Sequence, residues 1–179
     1  MNGSTVFIAG IYGTGKSTLC SALSEKLHIP GFSASDLISD INGEQFDANK
    51  AVTDKYINQI ILARRVQELN RVNKCIILAG HFCIFNSHDC VDVLPESVYH
   101  KLNISCIVLL EAELQTVITN LRHRDGREYS EESLSVLAYK EREQGERVSR
   151  QLKCPLFINR MTFTKNDIDH VATIFHVGG

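Results

Sequence analysis

A chain of 179 residues, 44% hydrophobic and 22% charged, has room for one well-buried domain and reads as an ordinary globular sequence. A formal charge of −2 supplies no general attraction to nucleic acid or to an anionic membrane, and no apolar run reaches the length of a membrane span. Six scattered cysteines without C-x-x-C pairs or ligand spacing to histidine argue against zinc or a disulfide scaffold; with no leader-like N-terminus, they predict a cytoplasmic protein.

Thr5 to Ala9 reads as a short buried strand, and Thr18 to Leu27 as the helix after it, with Leu19, Leu23 and Leu27 on one face. Between them, Gly10-Ile11-Tyr12-Gly13-Thr14-Gly15-Lys16-Ser17 satisfies G-x-x-x-x-G-K-[ST] in the strand–loop–helix setting that the motif requires. Its glycines let successive N–H groups point into one concavity, and the helix start adds partial positive charge. The stretch is therefore a candidate nucleoside triphosphate site. Lys16 is placed to reach the β- and γ-phosphates and Ser17 to hold Mg²⁺, with Gly10, Tyr12, Gly13, Thr14, Gly15 and Thr18 forming the cradle.

Pro30-Gly31 ends the first helix. Phe32 to Ala34 predicts a second strand, Ser35 or Asp36 the cap of a brief helix through Ile41, and polar Asn42 to Ala51 a loop. Thr53 or Asp54 opens a long helix ending near Asn70, with Ile57, Ile60, Ile61, Arg64, Val66 and Leu69 as its partly buried face. Cys75 to Ala79 and Cys106 to Leu110 are continuous apolar runs, expected of strands buried on both faces. Pro95 to Leu102 predicts a short helix between them, and Leu114, Val117, Ile118 and Leu121 mark the helix that follows. Arg122 to Tyr129 interrupts the pattern, and Ser130 with Glu131-Glu132 caps a long helix to about Leu152. Pro155 to Ile158 is a fifth strand and Thr164 to His176 the closing helix.

Strands alternating with helices predict a three-layer α/β/α sandwich around a parallel sheet, with ligand at the carboxyl ends of the strands. Gly10, Ala34, His81, Glu111 and Asn159 fall on that rim.

Three features bear on what is done with a nucleotide. Arg122-His123-Arg124-Asp125-Gly126-Arg127 carries three guanidinium groups, suited either to the charge that spreads during phosphoryl transfer or to a solvated basic turn. Arg142 on the next helix either faces back toward that segment or joins Glu141, Glu143 and Glu146 in a salt-bridged surface. His81, just past the third strand, is either a contact to nucleotide or Mg²⁺-bound water, or a structural histidine.

In this order, the Val6-to-Thr18 opening, the Ile76-to-His81 strand and the Arg122-to-Arg127 segment resemble the P-loop nucleoside monophosphate kinases. The chain is most similar to the short-lid, adenylate-kinase-like branch that includes the archaeal-type adenylate kinases. The resemblance implies a P-loop NTPase sandwich with a five-stranded parallel sheet in order 2-3-1-4-5, and a single domain over 1–179. Within it, an acceptor-binding segment would span about 35–73 and a lid about 122–130. The implied activity is ATP- and Mg²⁺-dependent phosphoryl transfer to a small acceptor, foremost a nucleoside monophosphate. By position, Ser33, Asp36, Arg65 and His81 would border the acceptor; Lys16, Arg124, Arg127 and Arg142 would surround the transferred phosphate; Asn159 would lie beside the donor base.

Two departures stand out. Such kinases commonly carry an aspartate near the end of strand 3, where this chain has Ala79-Gly80, leaving Asp36 as the candidate substitute. Larger adenylate kinases place an acceptor arginine after strand 2, and Ser35 to Ser39 has none. Two further readings therefore stay open: a nucleotide-dependent binding protein that hydrolyses ATP slowly and reports to a protein partner, and a P-loop kinase for a sugar, nucleoside or polynucleotide end. The near-neutral charge speaks against long nucleic acid as a substrate.

Overall fold

In the computed structural model the central strand is β1 (Ser4–Ala9), hydrogen-bonded in parallel to β3 (Cys75–Ala79) on one side and to β6 (Ile104–Glu111) on the other. Residues 3–42, 53–126 and 128–175 are described. Strands β2 (Gly31–Ser33) and β7 (Leu156–Arg160) complete the sheet at its edges, giving the order β2-β3-β1-β6-β7. Counted alone, these five strands run in the expected order 2-3-1-4-5. A separate antiparallel pair, β4 (Cys83–Phe85) with β5 (Val91–Val93), lies between β3 and β6 in the chain; its short runs carry no alternation and no glycine turn, so local sequence does not predict it.

The apolar runs divide by alternate residues, as a strand's period of two requires. Phe7 and Ala9 with Ile76, Leu78, Ile107 and Leu109 face one core, and Val6 and Ile8 with Ile77, Ala79, Val108 and Leu110 face the other. The first layer is closed by α3 (Thr53–Val72), α5 (Leu114–Asp125) and α6 (Glu131–Leu152), through Leu62, Val66, Leu121, Leu134, Leu137 and Val148. The second is closed by α1 (Lys16–Leu27) and α7 (Lys165–Ile174), through Leu19, Leu23 and Val171. Two faces of helices explain why no central strand shows polar alternation.

Helix ends follow their cap chemistry. Ser130 caps α6 by accepting from the Ser133 amide, and Thr164 with Asp167 forms a capping box at α7. Helix α2 (Ala34–Asn42) starts at the third residue of the predicted second strand, because that strand ends at Ser33. The loop expected from Asn42 to Ala51 lies outside the described residues except for Asn42, the last residue of α2. Helix α4 (Glu96–Tyr99) is one turn.

Two expectations are corrected. On the expected face of α3, Val66 is buried and Ile61 and Leu69 are half-buried, but Ile57 and Ile60 are each 49% exposed and Arg64 is exposed, while Leu62, Ala63 and Asn70 are buried outside it. The helix carries apolar residues in two phases, and the sheet covers the phase about half a turn from the one the isoleucines suggested. The break expected over Arg122 to Tyr129 also comes later, at Gly126. Helix α5 continues through Asp125, so Arg122 and Arg124 stand on its last turn, and Gly126 ends it in the left-handed conformation with its amide on the Arg122 carbonyl.

Candidate active site

The loop between β1 and α1 takes positive φ at Gly10 (148°), Gly13 (77°) and Gly15 (83°), which turns its backbone inward at three points. Gly15 is the residue before the first turn of α1, so the free amides of that helix open on the same space. Thr14 and Lys16 both donate to the Ile11 carbonyl, at 2.8 and 2.7 Å, and fold the loop on itself. From α5, the Asn120 amide donates to the Gly13 carbonyl at 2.9 Å and ties that helix to the loop.

This loop forms the floor of a cavity of about 1030 Å³ at the carboxyl edge of the sheet. Tyr12, His81 and Phe85 form an aromatic wall: the Tyr12 ring lies 4.7 Å from His81 and 6.0 Å from Phe85. Phe85 in turn stacks 6.3 Å from Tyr129. Opposite them, Met161 and Phe163 cover Gly15. Asp167 fixes that cover by accepting from the Thr162 and Thr164 amides at 3.0 and 3.2 Å.

Of the residues singled out from the sequence, Tyr12, Gly13, Gly15, Lys16, Ser17, Thr18, Ser33, His81 and Arg124 line this cavity. Gly10 and Thr14 shape the loop beneath it and are buried. Four others lie elsewhere. Asp36 borders a smaller recess with Ser17, Ser33 and Asp40. Arg65 reaches Glu68 at 3.0 Å on its own helix. Arg142 bridges Glu111 and Glu146, each at 3.1 Å, which matches the surface alternative considered for it. Asn159 is buried, with its side chain on His170 at 2.9 Å and on Met161. Arg127 lies outside the described residues. Arg124 is held against its neighbour Asp125, with Nη2 to Oδ2 at 2.6 Å.

The most constrained charge in the site belongs to a glutamate that the sequence offers only as a member of a possible salt-bridged surface around Arg142. Glu141 of α6 is 1% exposed, and both its oxygens accept from backbone amides: Gly10 at 3.0 Å, Phe82 at 3.0 Å and Cys83 at 2.7 Å. It opens the charged run Glu141-Arg142-Glu143, which disguises it. The helical spacing Leu134, Leu137, Glu141, Gln144, Val148 places it on the buried stripe of α6. Burial pushes the Glu141 carboxyl up and the Lys16 ammonium down, and each charge partly offsets the shift of the other. Since all the Glu141 partners are N–H donors, its oxygens are arranged for the ionised form. Burial likewise raises Tyr12 to about 12, and the thiols of Cys20 and Cys83 to about 11 and about 12, so these groups stay neutral.

A family model described as an AAA domain matches residues 9–138, from the end of β1 into α6. The chain belongs to the AAA domain family. Its fold is that of the P-loop kinases. A shikimate kinase from Bacteroides thetaiotaomicron superposes with a TM-score of 0.61 at 15% identity, covering 97% of this chain and 96% of the other. A shikimate kinase from Acinetobacter baumannii, solved in complex with shikimate, gives 0.64 at 12% identity over 98% and 94%. A gluconokinase from Sinorhizobium meliloti 1021 gives 0.56 at 12% identity over 98% and 97%. No curated protein matches in sequence. Within this AAA domain, the matched segment carries the phosphate loop, Arg124 and the aromatic wall, whereas Glu141 and the Met161–Phe163 cover follow it.

Among the described residues of the domain, no helix is long and apolar enough to cross a membrane, and no three His, Cys, Asp or Glu side chains gather to hold a metal.

Proposed function

We propose that this chain is a P-loop kinase that transfers the γ-phosphoryl group of ATP, with Mg²⁺, to a small acceptor, foremost a nucleoside monophosphate in the manner of the adenylate-kinase-like branch. The observation that carries the reading is a phosphate loop opening into one cavity with Arg124 on its wall. The positive-φ glycines and the exposed Ser17 at the start of α1 fit a triphosphate with its cation. A Mg²⁺ held there by Ser17 would neutralise the charge that develops on the phosphates during transfer.

On this reading, Lys16 leaves the Ile11 carbonyl for the β- and γ-phosphates and Ser17 orients the cation. Arg124 exchanges Asp125 for the transferring group, with Arg127 in the same role. The chain acts as a single domain, with acceptor contacts within about 35–73 and at Ser33 and His81, and with a lid over about 122–130 that excludes water. Arg142 is a candidate only if it exchanges its two carboxylate partners, and Asn159 acts through Met161 rather than by direct contact. A phosphate oxygen needs no strong base as acceptor, so positioning and charge stabilisation supply most of the rate.

A second reading, a hydroxyl-bearing acceptor, is favoured by one observation. Among the described residues, Arg124 is the one guanidinium that lines the cavity, while Ile84, Phe85 and Asn86 offer apolar and amide surface. Structural neighbours whose names are shikimate kinase and gluconokinase support it by analogy of fold. Incubating the protein with labelled Mg-ATP and a panel of nucleoside monophosphates, nucleosides and hydroxy acids separates the two by which acceptor becomes labelled. Phosphate release with no labelled acceptor would replace both with a slow, nucleotide-dependent binding protein.

A further inference from the structure

Helix α6 delivers a carboxylate to a place where the sequence has none. The end of β3 reads Ala79-Gly80, and the charge beside it arrives from Glu141, 59 positions after Phe82 and 131 after Gly10. Its two oxygens collect three backbone amides left over where β1 and β3 end: the first amide of the phosphate loop, and the two that follow His81 on the way to Phe85. Strands β1 and β3 are parallel neighbours, yet past Ala9 and Gly80 their chains diverge and no ladder bond links them. Glu141 bridges the two segments at their base, and further out the Phe85 amide donates to the Tyr12 hydroxyl at 3.4 Å. Gly145, one turn further along α6, brings the helix against the Phe82 ring, so the backbone is pressed to the same segment.

We propose that Glu141 is a positioning residue that holds the phosphate loop in register with the aromatic wall, so that nucleotide affinity depends on a carboxylate supplied by α6. The proposal rests on the kinase reading. Glu141 touches no reacting atom: its oxygens are filled by amides, and it acts through the Gly10 amide on the loop and through the Phe82 and Cys83 amides on the wall. An uncharged glutamine cannot serve the same three donors. Its one carbonyl oxygen accepts, while its NH₂ group meets another N–H, and one of the two segments must shift.

The test is calorimetric titration of Mg-ATP into wild type, Glu141→Gln and Asn70→Ala, with melting temperatures measured alongside. Asn70 is a matched control. It is buried and donates to Thr5 at 3.0 Å in a polar cluster with the Leu102 carbonyl at the opposite, amino end of the sheet. Both variants are expected to melt at lower temperature, but only Glu141→Gln is expected to lose affinity, by tenfold or more. A loss below tenfold in Glu141→Gln, or an equal loss in Asn70→Ala, overturns the proposal. Should Glu141→Gln fail to fold, Glu141→Asp decides in its place. Its charge is kept but its reach is one methylene shorter, and a loss of at least threefold is expected, with unchanged affinity overturning the idea. If the wild-type chain itself does not bind Mg-ATP, the kinase reading falls first, and this proposal with it.

Discussion

The rings of Tyr12 and His81 stand 4.7 Å apart, one from the phosphate loop and the other from the residue pair that follows β3. Burial holds the His81 imidazole well below its ordinary pKa, the Lys16 charge acts in the same sense, and a hydrogen bond to the Gly10 backbone opposes them. Arg124 adds a smaller push downward. A histidine whose folded pKa is depressed takes up its proton in the unfolded chain first. Stability from this group is therefore complete above the ordinary value of 6.5 and is lost as pH falls below it. Urea unfolding of wild type and His81→Gln at pH 7.5 and 5.5 measures this. Wild type should lose more stability on acidification than the variant, and equal losses would refute the assignment.

Removing Lys16 should weaken nucleotide binding. Lys16→Ala deletes a charge-assisted contact worth roughly 1.5–3 kcal/mol, or about 10- to 150-fold in Mg-ATP affinity. Calorimetry on the variant checks this, and an affinity within a factor of two of wild type would remove Lys16 from the site.

Arg124 separates a transferase from a nucleotide-binding protein. If it stabilises charge during transfer, Arg124→Ala should bind ATP almost normally and turn over about 10³-fold more slowly. Arg122 shares the last turn of α5 but reaches only toward Glu128, at 4.0 Å, and does not line the cavity. Its alanine variant should change the rate little. Single-turnover rates at saturating ATP compare the two.

Gly10→Ala should damage both stability and binding. A Cβ there would sit 2.8 Å from the Leu110 carbonyl oxygen and 2.9 Å from Thr14 Oγ1, at a φ of 148° that side chains rarely adopt. Backbone and carbonyl cannot yield as a flexible side chain would, so a cost of roughly 1–3 kcal/mol is expected. Thermal unfolding gives the stability change, and titration with Mg-ATP the second effect.

Much of this architecture was legible before any coordinates. Cys75–Ala79 and the apolar run inside Ile104–Glu111 are continuous hydrophobic segments that only a strand covered on both faces can bury, and Gly10 to Ser17 carries its conformational demands in its glycines. Ser130 and Thr164 announced their helices because cap chemistry acts within three residues. These are local signals, and local sequence suffices for them.

What sequence could not decide depended on which surfaces meet. Ile57 and Ile60 pattern as well as Leu62 and Ala63, and only the position of the sheet selected the second pair for burial. Arg124 stayed on a helix because nothing in Arg122 to Asp125 breaks one, and the turn waited for Gly126. Arg65, Arg142 and Asn159 found partners in Glu68, in Glu111 with Glu146, and in His170, two of these sets joining separate elements. Glu141 is the extreme case: a glutamate in a charged run, buried because three amides from two strand ends far apart in sequence converge where α6 crosses the carboxyl edge of the sheet. Helical spacing puts Glu141 on the buried stripe of α6, but the hydrogen-bonding demand of those amides arises only once β1 and β3 lie side by side, so tertiary structure decided what that buried carboxylate meets.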